Sequence, residues 1–402
     1  MHTYARSMSA AACCLAVALT AGCGSSPESE SESAPTPAEA TPAPQYELTG
    51  VPGTVLASED FGDRSTELSD TGTTLYRLVY ESTSGVDGSP TAVSGVAAVP
   101  AGSPPEGGWP IVVYGHGTTG VQAGCGPSLS SYLLGYHYVV KDFAELGYVT
   151  VLPDYQGLGT GGGTHPYLEP RTAGYNMIDA ARATHAALPD TSTRWAAAGL
   201  SQGGQAAWAA NELDSAYGQG MELVGSASLS PPTDLTPLVR AATDGTLTTP
   251  QKELLPYLLY GAQQVDPSID PNAYSGSVAQ DNNELLLSCD SGDTEARKQV
   301  VEEMAPDEFA ADSTESEQKL IDVIGRFTLP QVRTEVPMYV AYGGQDDVIL
   351  PQWTADGVEK ACALGDSVVV DEQADSGHDV SDEAAIQFIA DRFAGQPVTS
   401  TC

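Results

Sequence analysis

The chain has 402 residues, with 16 Lys and Arg set against 53 Asp and Glu, for a formal net charge of −37. That imbalance excludes phosphate-directed nucleic-acid binding, which needs clustered Lys and Arg, and a polybasic hold on an anionic membrane. Its 41% hydrophobic content is that of a globular chain, and no apolar run reaches the roughly 18 residues that span a bilayer.

The first residues read as a leader. Arg6 lies in a short polar start, residues 10–19 form an apolar run of secretory-signal length, and Thr20-Ala21-Gly22-Cys23 follows. That ending resembles the lipobox of bacterial lipoproteins, which makes residues 1–22 a signal peptide and Cys23 the lipidated first residue. Ordinary secretion with loss of the segment is the alternative. Residues 24–45 are almost wholly Ser, Glu, Pro, Ala and Thr; such a composition cannot bury enough apolar surface to order itself, and reads as a tether. Membrane contact is then expected through the N-terminal lipid only. Cys13 and Cys14 fall in the leader, leaving Cys125, Cys289, Cys362 and Cys402. An even number in an oxidising compartment implies two disulfides, with three pairings open. No two of them are spaced C-x-x-C, so zinc is disfavoured.

From Tyr46 strands and helices alternate. Residues 73–81 and 91–100 read as a hairpin, turned by Gly85, Gly88 and Pro90. Residues 109–115 (WPIVVYG) form a buried strand. A helix is expected over 131–146, with Gly147 as its stop. Then come a strand at 148–153, a helix at 171–188, a strand at 194–200, a helix at 202–213 and a strand at 223–229. After a long interruption the pattern resumes with strands at 337–342 and 367–370 and a helix at 381–393. Repeated strand-helix-strand units imply a mostly parallel sheet covered on both faces, with active residues at the carboxyl ends of the strands. The interruption, residues 231–330, carries helical stretches at 252–264, 295–304 and 315–327 and no strong strand. It is too long for a loop and reads as an inserted helical cap, which divides the core into 46–230 and 331–402.

Gly199-Leu200-Ser201-Gln202-Gly203 matches the G-x-S-x-G nucleophile elbow. The pentapeptide alone is weak evidence, but a buried strand enters it and a small-residue helix leaves it. A serine nucleophile needs a base, and in the order Ser, acid, His that base must follow it. His378 is the one histidine after Ser201, in a loop between the last strand and the last helix. The acid belongs after the preceding strand, in Gly344-Gln345-Asp346-Asp347-Val348-Ile349-Leu350-Pro351. Both Asp346 and Asp347 qualify; the spacing of Asp347, three after Gly344 and four before Pro351, resembles the acid loop of many hydrolases, so Asp347 is expected to orient His378. The developing oxyanion needs two backbone N–H donors, assigned to Gln202, next to the nucleophile, and Thr118, in the His116-Gly117-Thr118 loop after the strand 109–115.

Two other signals carry no chemistry. Residues 157–162 fit G-x-G-x-x-G, but Pro166 and Pro170 follow where a dinucleotide site needs a helix to open at once. His137, His165 and His185 form no metal-like set, and 281–293 lacks EF-hand spacing. No cofactor or metal is indicated.

These pieces together resemble a family, the secretory lipases typified by the yeast lipase A type. The likeness runs from about Tyr46 to Cys402. It rests on Tyr114 to Gly120, Cys125-Gly126-Pro127-Ser128, Pro153-Asp154-Tyr155-Gln156-Gly157, Gly199 to Gly204, Gly344 to Pro351 and Gly377-His378. The resemblance implies an α/β-hydrolase core under a helical cap, hydrolysing carboxylic esters that include acylglycerols. It also implies disulfides pairing Cys125 with Cys289 and Cys362 with Cys402. One departure falls near Thr118 and Thr119, where yeast-type relatives place an Asp, and chain-length preference is not carried over. The expectation is therefore an extracytoplasmic, monomeric serine ester hydrolase acting on a small-molecule ester or lipid. The alternatives are an acyltransferase or peptidase using the same triad, and a binding lipoprotein with dead chemistry.

Overall fold

The computed structural model describes residues 46–61 and 72–402; the leader, Cys23 and the tether lie outside the described residues. Nine strands form one sheet: β1 (Val55–Asp60), β2 (Thr74–Thr83), β3 (Pro90–Val99), β4 (Trp109–Gly115), β5 (Val149–Pro153), β6 (Thr191–Leu200), β7 (Glu222–Leu229), β8 (Met338–Gly343) and β9 (Val368–Gln373). Their order is β1-β2-β3-β5-β4-β6-β7-β8-β9. The pairs from β1 to β5 are antiparallel and all those from β5 to β9 are parallel. The parallel strands β5 and β8 are short and every residue of each is buried, as expected where helices cover both faces.

Those helices divide the core in two. On one face Met177 and Ile178 of the helix Pro170–Ala187, and Ala206, Ala207 and Ala210 of the helix Gln202–Tyr217, pack on Ile111, Val151 and Trp195. On the other, Val139, Val140 and Phe143 of the helix His137–Glu145, and Phe388 and Ile389 of the helix Glu383–Phe393, pack on Val112, Tyr114 and Ala196. This agrees with the expected α/β-hydrolase class.

The hairpin and the buried strands lie where the sequence places them, within a few residues. The helix expected over 131–146 is shorter. Only His137–Glu145 is α-helical, and 3-10 turns at Pro127–Leu129 and Leu133–Gly135 precede it. Leu133 and Leu134 take φ +50 and Gly135 φ +99, so no helix can pass through them. Gly147 does end the helix, at φ +85. The strand β1 and the helix Pro351–Leu364 are additional to the expected elements.

Between β7 and β8 every regular element is helical, with no strand among the described residues. Its longest helix, Thr249–Val265, starts with a capping box between Thr248 and Gln251 and has Pro250 in its first turn. Leu255, Leu258 and Leu259 from that helix, with Leu238, Val323, Ile324 and Phe327, make an apolar cluster that also takes in Val121, Tyr167, Leu168, Ile349 and Trp353 from outside the insert. Two disulfides, Cys125–Cys289 and Cys362–Cys402, join residues 164 and 40 apart. These are the pairings implied by the resemblance. The first ties the loop after β4 to the insert; the second ties the helix Pro351–Leu364 to the chain end.

Candidate active site

Strand β6 ends at Leu200 and a helix opens at Gln202, leaving Ser201 alone in the turn with φ 57 and ψ −118. A non-glycine residue at positive φ is strained and persists only where its surroundings hold it. Here Ser201 N–H donates to Leu229 O at 2.8 Å, and Gln205 N–H donates to Ser201 O at 3.0 Å. The glycines of the motif are required by close approach. A Cβ at Gly203 would fall inside the radius of Gly115 O, and one at Gly199 would meet Gly203 O. The pentapeptide thus marks the place where β4, β6 and the following helix touch backbone to backbone.

His378 follows β9. Its Nδ1–H donates to Asp346 Oδ2 at 2.8 Å, with the Asp346 side chain only 1% exposed. The expectation that Asp347 is the partner is corrected: Asp347 is exposed, and its carbonyl accepts from the Thr248 hydroxyl at 2.7 Å. The turn after β8 decides between them. Asp346 Oδ1 accepts from Val348 N–H at 2.9 Å and Ile349 N–H at 3.0 Å, which folds the first Asp of the pair inward and leaves Oδ2 for the imidazole. A Cβ at Gly343 would strike Gly377 O, so the two loops also close on each other through glycine. Ser230 Oγ–H donates to His378 O at 2.7 Å and holds the loop from the other side. With Nδ1–H engaged, His378 Nε2 is the basic nitrogen. His378 and Ser201 line the same cavity, of about 520 Å³.

Thr118 lines that cavity too. The Gly117 N–H is taken by the Tyr136 hydroxyl at 2.7 Å, whereas the Thr118 N–H meets no acceptor among the described residues. The Thr118 hydroxyl bonds Tyr167 OH at 2.5 Å. Gln202 opens its helix, so its own N–H lacks an intrahelical partner. Its buried side chain donates from Nε2 to His165 Nε2 at 3.0 Å, and His165 Nδ1–H donates to Gln156 O at 2.8 Å. Burial pulls the His165 pKa down to about 3, so the ring is neutral and the two bonds fix its tautomer.

Behind this wall lies Asp154, fully buried. It accepts from Ser94 Oγ and Ser128 Oγ, both at 2.5 Å, and from Ser128 N–H at 2.8 Å. The Cys-x-Pro-Ser and Pro-Asp-Tyr-x-Gly elements are therefore halves of one hydrogen-bonded unit. Thr119 Oγ1–H donates to Cys125 O at 2.8 Å, and Tyr155 OH to His116 O at 3.1 Å, so the same unit fixes the loop after β4. The glycine-rich 157–162 loop packs here; a Cβ at Gly159 would strike Asp154 and Ser94. Tyr136, Tyr167, His165 and Asp154 escaped sequence reasoning as parts of the site. Their partners stand 19, 49, 37 and 60 residues away, beyond any local spacing. The far side of the cavity belongs to the insert, through Leu254, Tyr257, Leu286 and Val301 together with the charged Glu253, Arg297 and Lys298.

The family model for secretory lipases matches residues 133–401. Among solved structures the chain is similar to Candida antarctica lipase A in its closed state, with TM-score 0.68 and 17% identity over 87% of this chain and 84% of that one. It is also similar to the rice cell wall degrading esterase LipA from Xanthomonas oryzae, with TM-score 0.68 and 21% identity over 86% of this chain and 100% of that one. At such identities these likenesses concern the fold. No curated protein matches the chain by sequence. With the family model covering most of the chain, the protein belongs to the secretory lipase family and is a lipase-like ester hydrolase.

Proposed function

We propose that the protein hydrolyses carboxylic esters, acylglycerols among them, through an acyl-Ser201 intermediate, with His378 as base and Asp346 as its orienting acid. The observation that carries this reading is the common cavity of Ser201 and the Asp346-paired His378. Ser201 Oγ attacks the ester carbonyl while His378 Nε2 takes its proton; Asp346 holds the tautomer and stabilises the imidazolium. The negative charge on the carbonyl oxygen is met by the N–H groups of Thr118 and Gln202, held in place by the Tyr136, Tyr167 and His165 contacts. His378 then gives its proton to the leaving alcohol. In the second half it deprotonates a water, which releases the acid from Ser201. Leu254, Tyr257, Leu286 and Val301 supply an apolar wall for the acyl chain.

Two disulfides support an extracytoplasmic site of action, and we assign the protein to the outer side of the cell membrane, monomeric and held by lipid on Cys23. Turnover of p-nitrophenyl esters from acetyl to long-chain, with and without a fluorophosphonate, tests the reading. Hydrolysis should stop in step with one covalent label on Ser201. Turnover that survives full labelling contradicts the mechanism.

A further inference from the structure

Beside the two backbone donors proposed for the oxyanion, Thr118 N–H and Gln202 N–H, the cavity holds a phenol. Tyr136 lines the same space as Ser201 and His378. Its hydroxyl oxygen accepts from Gly117 N–H at 2.7 Å. A phenol also carries one O–H donor, and that hydrogen meets no acceptor among the described residues. Two neighbouring phenols are committed: Tyr155 O–H donates to His116 O, and Tyr167 OH is shared with the Thr118 hydroxyl. Burial pushes the Tyr136 pKa up to about 12, so the proton stays on the oxygen near neutral pH. The space in front of the hydroxyl is open because residue 117 is glycine. A Cβ there would stand 2.9 Å from the Tyr136 oxygen and 3.8 Å from Ser201 Cβ. Phenol and nucleophile therefore lie close to the same side of Gly117, a span that one carbonyl group attached to the serine oxygen can bridge. The backbone is bent to put the ring there. Leu133 and Leu134 hold φ +50 and Gly135 φ +99 in the three residues before Tyr136. Leucine populates that region sparsely, and strain of this kind gathers at working sites. The ring then packs beside Tyr114 and His116, at centroid distances of 6.2 and 5.8 Å.

We propose that Tyr136 is a further catalytic residue, whose O–H donates to the oxyanion formed when Ser201 attacks the ester carbonyl. It is the third donor, beside the N–H groups of Thr118 and Gln202. In that step the bond from Ser201 Oγ to the carbonyl carbon forms and the carbonyl π pair moves onto oxygen. The serine proton goes to His378 Nε2, and the Tyr136 proton is shared with the new anion without leaving the phenol. Gly117 N–H, donating into the phenol oxygen, polarises the O–H and strengthens it as a donor. A side-chain hydroxyl fixed in advance at the point where charge develops costs no reorganisation during the reaction. The role rests on the ester-hydrolase reading, and a label on Ser201 tells the failure of one from the failure of the other.

The test replaces Tyr136 in the whole chain by Phe, by 3-fluorotyrosine and by 3,5-difluorotyrosine. Two quantities are read: turnover of p-nitrophenyl acetate, and the Kd of a trifluoromethyl ketone, which Ser201 converts to a hemiketal oxyanion without turnover. Tyr136→Phe should lower kcat and weaken the ketone roughly 10²-fold, with KM within about twofold of the parent. Phe also removes the acceptor for Gly117 N–H, so the fluorinated rings separate the two roles. Fluorine makes the phenol a stronger donor and a weaker acceptor. Ketone binding should therefore tighten stepwise from tyrosine to 3-fluorotyrosine to 3,5-difluorotyrosine near neutral pH. These rings keep both hydrogen bonds, so they remain informative even if the Phe variant does not fold. Unchanged or weakened ketone binding across the fluorinated series overturns the proposal, because a phenol that only holds Gly117 loses its grip as its oxygen weakens. So does a folded Tyr136→Phe variant that keeps the parent's kcat. A parent that takes one fluorophosphonate on Ser201 and cleaves the ester, yet shows no such Tyr136 effect, removes this role alone. A parent that neither labels nor hydrolyses sinks the hydrolase reading and this role with it.

Discussion

The sheet ends and the helical insert face each other across one cavity, and they are positioned by different physics. At the sheet ends backbone meets backbone. Gly199, Gly203 and Gly343 stand where a Cβ would strike a carbonyl, and the Asp346 carboxylate takes two backbone N–H groups before it reaches His378. Such contacts tolerate almost no displacement, which is what the proposed serine nucleophile and its base would require. The insert is held by apolar side chains around Leu255, Leu258 and Leu259 and by a single covalent tie to the core, Cys125–Cys289. Apolar packing accepts many equivalent side chains. The first region is built to fix chemistry, and the second is free to set which substrate fits.

That division predicts how each half fails. Ser201→Ala should lower ester turnover on the order of 10⁶-fold while thermal unfolding moves by no more than a few degrees. A large loss of stability would show that the elbow serine is structural. Breaking the tie acts on the other half. Cys125→Ala with Cys289→Ala should cost about 2–5 kcal/mol in denaturant unfolding. The Cys362–Cys402 pair should cost less, because it closes 40 residues rather than 164. Equal losses would remove the special place given to the tie.

A third prediction concerns the joint between the halves. Glu212, on the helix behind the elbow, accepts the Gln331 N–H just past the insert, and burial lifts its carboxyl to about 7. The unfolded value is about 4.3, so the folded protein holds the proton more tightly. Its contribution is therefore fully present below about pH 4 and is lost as pH rises toward and through 7. Glu212→Gln keeps an acceptor for Gln331 and removes the titration. At pH 8 it should be more stable than the parent by about 1–3 kcal/mol, with a flatter stability profile between pH 5 and 8. An unchanged profile would mean that Glu212 is ionised in both states. The smallest effect is expected in the insert wall. Leu254→Ala should change the ratio of long-chain to acetyl ester turnover by about tenfold, since apolar contact of this kind carries roughly 1–1.5 kcal/mol of discrimination at the low end of its usual range. A flat ratio would place the acyl pocket outside the insert.

The same division explains what could be read from the sequence. Elements whose residues are close in the chain were legible: the buried parallel strands, the hairpin, the elbow and the loop carrying His378. The helix expected over 131–146 had the right apolar spacing, yet three residues at positive φ break it, and spacing does not register backbone reversal. Asp346 and Asp347 differ by one position, and a motif with flexible ends cannot tell which faces inward; the Asx-type turn that does so depends on the Val348 and Ile349 amides. Tyr136 and His165 are joined to Gly117 and Gln202 only by the fold.

The central claim is that Ser201 is served by His378 held on Asp346, and a pair of adjacent substitutions tests it most directly. The kcat for a soluble p-nitrophenyl ester should be measured for Asp346→Asn and Asp347→Asn at pH 7. Asp346→Asn should lower it by about 10⁴-fold, since an amide there favours the wrong imidazole tautomer. Asp347→Asn, at an exposed position bound only through its carbonyl, should stay within about threefold of the parent. A large loss in Asp347→Asn with Asp346→Asn near the parent rate would contradict the account.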